Sequence, residues 1–148
     1  MAERSYWDWV EPVWDSINIY DGPELFLKTY REAPSVSRLL FAAHFCQSEV
    51  CNGGLWQFFE NSTGVLAPEA VEAFRRIGQD GVAATLAVAM DRLGSPYPRD
   101  REERWLSLDD ALREDLDLLD DRLFELLNSE SGGFESAALR FALEADRP

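Results

Sequence analysis

Apolar residues recur at intervals of three and four along most of the chain, which is the period of a helix that buries one face. The clearest run lies between Ser107 and about Leu127, with leucine at the inward positions 112, 116, 119, 123 and 126. No stretch of useful length alternates apolar and polar residues as a half-buried strand does. We therefore predict an all-α fold of about seven to eight helices.

Glycine and proline divide this pattern into segments. The predicted helices are Tyr6–Tyr20, one between the turn at 21–24 and the break at 33–35, Val36–Cys51, a short one that carries Leu55 to Ser62, Ala67–Ile77, Gly81–Leu93, Ser107–Leu127 and Phe134–Ala145. We expect Asp21 and Asp80 to cap the helices that follow them, and Ser107 to open a capping box. Residues 98–103 are predicted to be an exposed charged loop.

The most distinctive stretch is residues 49–64. Asn52-Gly53-Gly54 predicts the end of a helix, because glycine adopts the left-handed backbone at no steric cost. Polar side chains lie among aromatic ones, and we expect them to be hydrogen-bonded internally and to cap the two helix ends. The motif residues, interpreted as mainly structural, are Glu49, Asn52, Gly53, Gly54, Gln57, Phe58, Phe59, Asn61, Ser62 and Gly64. A pocket for a small ligand or peptide is the alternative interpretation.

The motif Glu-x-x-Asn-Gly-Gly-x-x-Gln-Phe-Phe-x-Asn-Ser-x-Gly, at 49–64, resembles the signature of a bacterial family classed as a domain of unknown function. The resemblance extends to Ile77-Gly78 and to the acidic stretch 116–123. That family includes a DNA-mimic protein that binds a transcription factor. The resemblance therefore implies a protein that interacts with a basic, DNA-binding partner.

Charge supports this expectation, since 28 acidic residues against 14 basic ones give a net charge of −14. Such a protein is repelled by free nucleic acid and by anionic membranes, and attracted to basic surfaces. One face of the Ser107 helix repeats a carboxylate at steps of three and four, at Asp110, Glu114, Asp117, Asp121 and Glu125. Asp100, Glu102, Glu103, Asp109, Asp115 and Asp120 are expected to fill out the pattern. The alternative is an ordinary solvated helix face.

Catalysis is not expected. The one histidine, His44, and Cys46 lie two positions apart on a helix, so their side chains diverge, and the zinc-ligand spacings are absent. We predict no metal, no cofactor and no disulfide between Cys46 and Cys51, and expect His44 to be a hydrogen-bonded core residue. A hydrolase is the third functional alternative, with no pair of residues to favour it.

The length of 148 residues predicts a single domain, 1–148. No apolar run approaches the roughly 20 residues that span a bilayer, and the first residues lack the layout of a signal peptide. The expected location is therefore the cytoplasm. Trp9 and Val13 lie off the main apolar stripe of their segment. We expect them to pack either on a neighbouring element or on another subunit, which leaves a homodimer open.

Overall fold

Helices make up the regular structure of the protein, in a computed structural model that describes residues 3–147. Eight α-helices and three short 3-10 helices occur in this range, with no strand, which confirms the predicted all-α fold. The α-helices are α1 (Trp7–Val10), α2 (Pro23–Glu32), α3 (Ser35–Glu60), α4 (Ala67–Arg76), α5 (Asp80–Asp91), α6 (Arg101–Ser107), α7 (Asp110–Ser129) and α8 (Phe134–Ala145). The 3-10 helices are Glu11–Val13, Ser62–Leu66 and Glu130–Gly132.

Helix α3 lies at the centre and contacts α1, α4, α6, α7 and α8. It is apolar over most of its circumference, so Leu40, Val50 and Phe58 are all fully buried. The predicted break at the double glycine is confirmed, because Gly54 has φ 78° and ψ −179° inside the helix. The helical backbone then resumes at Leu55 and continues to Glu60.

The predicted helix Tyr6–Tyr20 is wrong beyond Val13, since residues 14–22 form no regular helix. Asn18 explains much of this irregular path. Its backbone N–H donates to Thr29 Oγ1 at 2.9 Å, and its side-chain oxygen accepts from the backbone N–H groups of Tyr20 and Asp21. Side-chain acceptors of this kind compete with helical hydrogen bonds. The segment nevertheless buries Ile17 and Ile19, so it belongs to the core.

The exposed loop predicted for residues 98–103 is also wrong at its end, because α6 begins at Arg101. Asp100 caps it, accepting hydrogen bonds from the backbone N–H groups of Glu102 and Glu103 at 2.9 and 3.2 Å. An N-cap aspartate before an acidic first turn is a helix-start signal. This start signal was missed in the sequence, because the segment is densely charged and α6 shows no apolar stripe.

Two of the predicted caps do not form. Asp21 accepts from the side-chain amide of Asn18 at 2.7 Å, and α2 has no side-chain cap. Ser107 donates to the carbonyl of Leu93 at 2.9 Å, so the predicted capping box is wrong. Asp109 caps α7 instead, by accepting from the backbone N–H of Leu112 at 2.9 Å. Local sequence thus located these helix starts within a few residues but chose the wrong capping oxygen.

The cap of α5 comes from a distant part of the chain. Asp80 makes no capping hydrogen bond, whereas the carboxylate of Glu130 accepts from the backbone N–H groups of Gly81 and Val82 at 2.8 and 3.0 Å. A carboxylate at a helix N-terminus satisfies free donors and complements the helix dipole. Glu130 therefore fixes the junction between α7 and α8 against α5.

Candidate functional site

The candidate interaction surface is the outward side of α7. Asp110, Glu114, Asp117, Asp121 and Glu125 are all exposed there, and we call these five residues the acidic face of α7. Their placement follows from the helix period, because Leu112, Leu116, Leu123 and Leu127 occupy the opposite side and are buried. The sequence pattern therefore separates the two sides of this 20-residue helix into a core side and a charged side.

Within residues 3–147, no member of the acidic face forms an ion pair. The one ion pair that the described residues form on α7 joins Asp115 to Arg92 at 3.3 Å, outside the face. Of the basic residues of α7, Arg113 lies over the ring of Trp56 at 4.7 Å from its centroid. The negative charge of the face is therefore not neutralised by a direct partner among the described residues, and it remains available to a basic surface.

Asp120 does not extend this face, contrary to the sequence expectation. It points towards α3, where its Oδ1 accepts the backbone N–H of Leu55 at 2.8 Å. Burial raises the pKa of Asp120 above its ordinary value, while the hydrogen bond from Leu55 acts in the opposite direction. The free N–H that follows the double glycine is thus capped by α7, 65 residues away, and not by a motif side chain as predicted.

The polar motif residues converge on Glu49. Its carboxylate accepts from the side-chain amide of Gln57 at 2.6 Å, from that of Asn61 at 3.4 Å and from the hydroxyl of Thr63 at 3.4 Å. These groups are part-buried, so the hydrogen bonds satisfy donors that water reaches poorly. The predicted internal hydrogen bonding is therefore present, with Glu49 as the common acceptor.

Asn52 does not take part in this network, which corrects the expectation that it caps a helix. It is exposed, and its side chain forms no hydrogen bond with any of residues 3–147. Ser62, by contrast, lies at the edge of the network, where its hydroxyl accepts from Arg101 at 3.4 Å. Phe58 and Phe59 are fully buried, as their apolar positions predicted.

Arg104 is an important residue that no sequence pattern singled out. Although charged, it is fully buried, and its guanidinium donates to the carbonyls of Phe59 (2.9 Å), Asn61 (2.8 Å) and Arg99. Two of these carbonyls, those of Phe59 and Asn61, flank the last residue of α3, where helical acceptors are left without a donor. The buried guanidinium also explains Gly64, because a Cβ there would lie 2.6 Å from Arg104 Nε. Gly64 sits in the 3-10 helix and gives the guanidinium room, whereas the sequence predicted a helix stop.

The two residues considered for chemistry lie in core environments. His44 Nδ1 is 2.7 Å from the hydroxyl of Tyr6, and burial lowers the pKa of the imidazole. Burial likewise raises the pKa of the Cys46 thiol well above its usual range. Both cysteines are free thiols, as expected. Among the described residues, no three histidine, cysteine or acidic side chains are grouped to hold a metal ion.

A protein-family model described as DMP19-like protein matches residues 31–144. The chain belongs to the DMP19-like family. The matched region runs from the end of α2 to the last turn of α8, so it includes the motif of residues 49–64, Arg104 and the whole acidic face of α7. Neither a curated protein nor a solved structure matches the chain.

Membership of the DMP19-like family places the two candidate surfaces on the shared part of the fold, whereas α1 and most of α2 lie outside the match. In the described part of the chain, none of the helices combines the length and the apolarity that a membrane crossing requires. The two candidate surfaces are the acidic face of α7 and the corner around Glu49, where α3 ends.

Proposed function

We propose that the protein is an acidic interaction protein that uses the acidic face of α7 to occupy the basic, DNA-binding surface of a partner protein. The observation that carries this proposal is the row of five exposed carboxylates without ion-pair partners among residues 3–147. The DMP19-like family match supports it, since the motif of residues 49–64 resembles a family that includes a DNA mimic. The whole-chain charge of −14 adds to the attraction.

The spacing of the carboxylates on the acidic face determines how closely they match the phosphates of DNA. Steps of three and four residues at a rise of about 1.5 Å place a carboxylate roughly every 5–6 Å. A DNA strand presents one phosphate per roughly 3.4 Å of axis, so one helix is a sparse copy. Asp100, Glu102, Glu103 and Asp109 are also exposed and directly precede α7 in the chain. They supply further charge near its N-terminus.

Binding of this kind is electrostatic, so it must weaken as salt screens it over a Debye length of about 8 Å at physiological ionic strength. One exposed pair contributes only about 0.2–1 kcal/mol, so single substitutions are poor tests. The test variant is the triple substitution Glu114→Gln, Asp117→Asn and Asp121→Asn. The control triple is Glu32→Gln, Glu72→Gln and Glu144→Gln, which makes the same charge change at exposed sites on α2, α4 and α8.

The experiment has two stages. The immobilised protein first captures basic proteins at low salt, and the affinity of each captured protein is then measured for wild type and both variants across a salt series. We expect weaker binding by the test variant, wild-type binding by the control variant, and displacement by duplex DNA that the captured protein binds. Equal binding by all three chains, or no competition from DNA, would contradict the proposal. Circular dichroism checks that each variant is folded.

A further inference from the structure

A cleft opens between the irregular segment 14–22 and the motif of residues 49–64. Its cavity, of about 180 Å³, has apolar walls of Ile19, Tyr20 and Phe45. The polar lining consists of Glu49, Asn61, Ser62, Thr63 and Arg101. Tyr20 is 74% exposed although it is aromatic, and its ring borders this cavity. We call this cavity the Tyr20 cleft.

The Tyr20 cleft has one carboxylate and one guanidinium on its wall, and neither has a partner of opposite charge within 4.0 Å among residues 3–147. Among the residues that the structure describes, the donors to Glu49 are all neutral side chains. Arg101 donates to the carbonyl of Glu60 at 2.9 Å and to Ser62 Oγ at 3.4 Å. Glu49 is part-buried, and a charge held partly out of bulk water is normally paired with an opposite charge. Arg101 is exposed and presents its guanidinium at the rim of the cleft. A ligand that carries both charges would pair both groups.

Arg104 adds a second positive charge near Arg101, at the side of the Tyr20 cleft where Arg101 lies. A smaller cavity of about 40 Å³ shares Ile19, Tyr20, Ser62 and Arg101 with the Tyr20 cleft and is lined in addition by Arg104. The hydrogen-bond acceptors of Arg104 are backbone carbonyls, which carry no net charge. Two guanidinium groups without a carboxylate partner among the described residues therefore lie beside one another, in a protein whose net charge is −14.

We propose that the Tyr20 cleft binds a free α-amino acid with an apolar side chain. Its ammonium group pairs with Glu49, its carboxylate with Arg101, and its side chain packs against Ile19, Tyr20 and Phe45. The cavity is smaller than the roughly 300–1,000 Å³ of pockets for drug-sized ligands, which favours a ligand of this size. No residue of α7 lines the cleft, so this site is separate from the acidic face.

The first test compares three probes on the wild-type protein: L-leucine, which carries both charges, 4-methylpentanoate, which carries only the carboxylate, and isopentylamine, which carries only the ammonium. We expect L-leucine to bind in calorimetry at millimolar concentration and the two analogues to bind at least about tenfold more weakly. Equal binding of the three probes, or no binding of L-leucine, L-isoleucine, L-valine, L-methionine or L-phenylalanine, would overturn the proposal.

The second test locates the site. Amide chemical shifts of the wild-type protein are followed as L-leucine is added, and we expect the largest changes at Ile19, Tyr20 and residues 61–63. Changes confined to other residues would overturn the proposal, whether or not any variant folds. Glu49→Gln and Arg101→Gln should each weaken leucine binding at least about tenfold. Glu72→Gln and Arg75→Gln, at exposed sites on α4, are the matched controls and should bind as wild type does.

Discussion

Arg104 lies on α6, which begins at Arg101, and its side chain packs into the corner where α3 ends at Glu60. Its guanidinium donates to three backbone carbonyls, and two of them, those of Phe59 and Asn61, flank the last residue of α3. A planar group with several fixed donors suits this arrangement, whereas an ammonium group on a flexible stem cannot reach three acceptors in the same way. The corner is therefore built by a residue that lies far from the motif.

Arg104→Met should lower the free energy of unfolding by about 3–5 kcal/mol, because one buried and two part-buried carbonyls lose their donor. Arg104→Lys should also destabilise the fold, since one ammonium group replaces only some of the hydrogen bonds that the guanidinium donates. Urea denaturation monitored by circular dichroism measures both. Arg75→Met on the exposed side of α4 is the control, for which we expect a change within about 0.5 kcal/mol. Equal stabilities of the Arg104 and Arg75 variants would show that the carbonyls need no donor.

His44 predicts a pH dependence of stability. Burial holds the pKa of the folded imidazole below its ordinary value of 6.5, so the unfolded chain binds a proton more readily than the folded protein does. Stability contributed by the neutral imidazole is therefore complete above pH 6.5, and it falls as the pH drops from 6.5 towards the pKa of the folded state. His44 is the single histidine of the chain, so this window belongs to it.

Titration of the His44 ring by NMR should give a folded-state pKa below 6.5. In parallel, the free energy of unfolding should be measured against pH for wild type and His44→Gln. Just below pH 6.5, the variant should show a smaller dependence on pH than wild type. A pKa at or above 6.5 would contradict the prediction, because it would mean that the folded protein accommodates the charged ring.

At the level of the helices, the junction inside α3 depends on Gly54. Its backbone, with φ 78° and ψ −179°, is one that side chains with a Cβ rarely adopt, and a Cβ there would lie 2.5 Å from Asp120 Oδ2. Gly22 has a similar backbone, with φ 100° and ψ 166°, but nothing lies within 4 Å of a Cβ built there. Substitutions at Gly22 and Gly54 therefore distinguish two effects. A change at Gly22 tests backbone strain alone, and a change at Gly54 also tests the contact between α3 and α7.

Gly22→Ala should destabilise the protein by about 1–3 kcal/mol through backbone strain alone. Gly54→Ala should cost more, because it adds a clash with Asp120 and disturbs the hydrogen bond to Leu55. Chemical denaturation of both variants measures the difference. Equal losses would show that Asp120 moves aside freely and that the cap across α3 and α7 contributes little. Hydrogen exchange at the Leu55 amide reports on the same contact directly.

Helices with strong local signals were predicted well from the sequence. The predicted start of α4 at Ala67 and both ends of α8, at Phe134 and Ala145, agree with the structure. Proline in the first turn and glycine at a chain break act through the backbone of the same few residues, so they can be recognised without knowing the fold. The all-α class follows from the same local periodicity.

Contacts between distant segments could not be predicted in this way. The carboxylates of Glu130 and Asp120 cap helices 49 and 65 residues away, and nothing in their own surroundings in the sequence marks them. Arg104 was missed because a buried arginine contradicts the ordinary burial preference of charged residues. The acidic face of α7 was recognised because it obeys a helical period, but its function as a binding surface stays a prediction.

For the whole molecule, a net charge of −14 on 148 residues means that the folded state carries substantial self-repulsion. Added sodium chloride should therefore raise the melting temperature between low and physiological ionic strength, where the Debye length falls to about 8 Å. Calorimetry across a salt series measures this rise. The triple variant of the acidic face should show a smaller rise than wild type. A melting temperature that falls with salt would indicate that attractive pairs dominate.

The division of α7 into two sides has a consequence for how the family can diversify. Its inward residues, Leu112, Leu116, Asp120 and Leu123, are tied to the core and to α3. The five carboxylates on the outward side support no neighbour in the described fold, so substitutions there cost little stability. Mutation can therefore change the charge pattern on the outward side of α7 while the fold stays intact. On the proposed function, a lineage built on this scaffold can change partners without first acquiring a new fold.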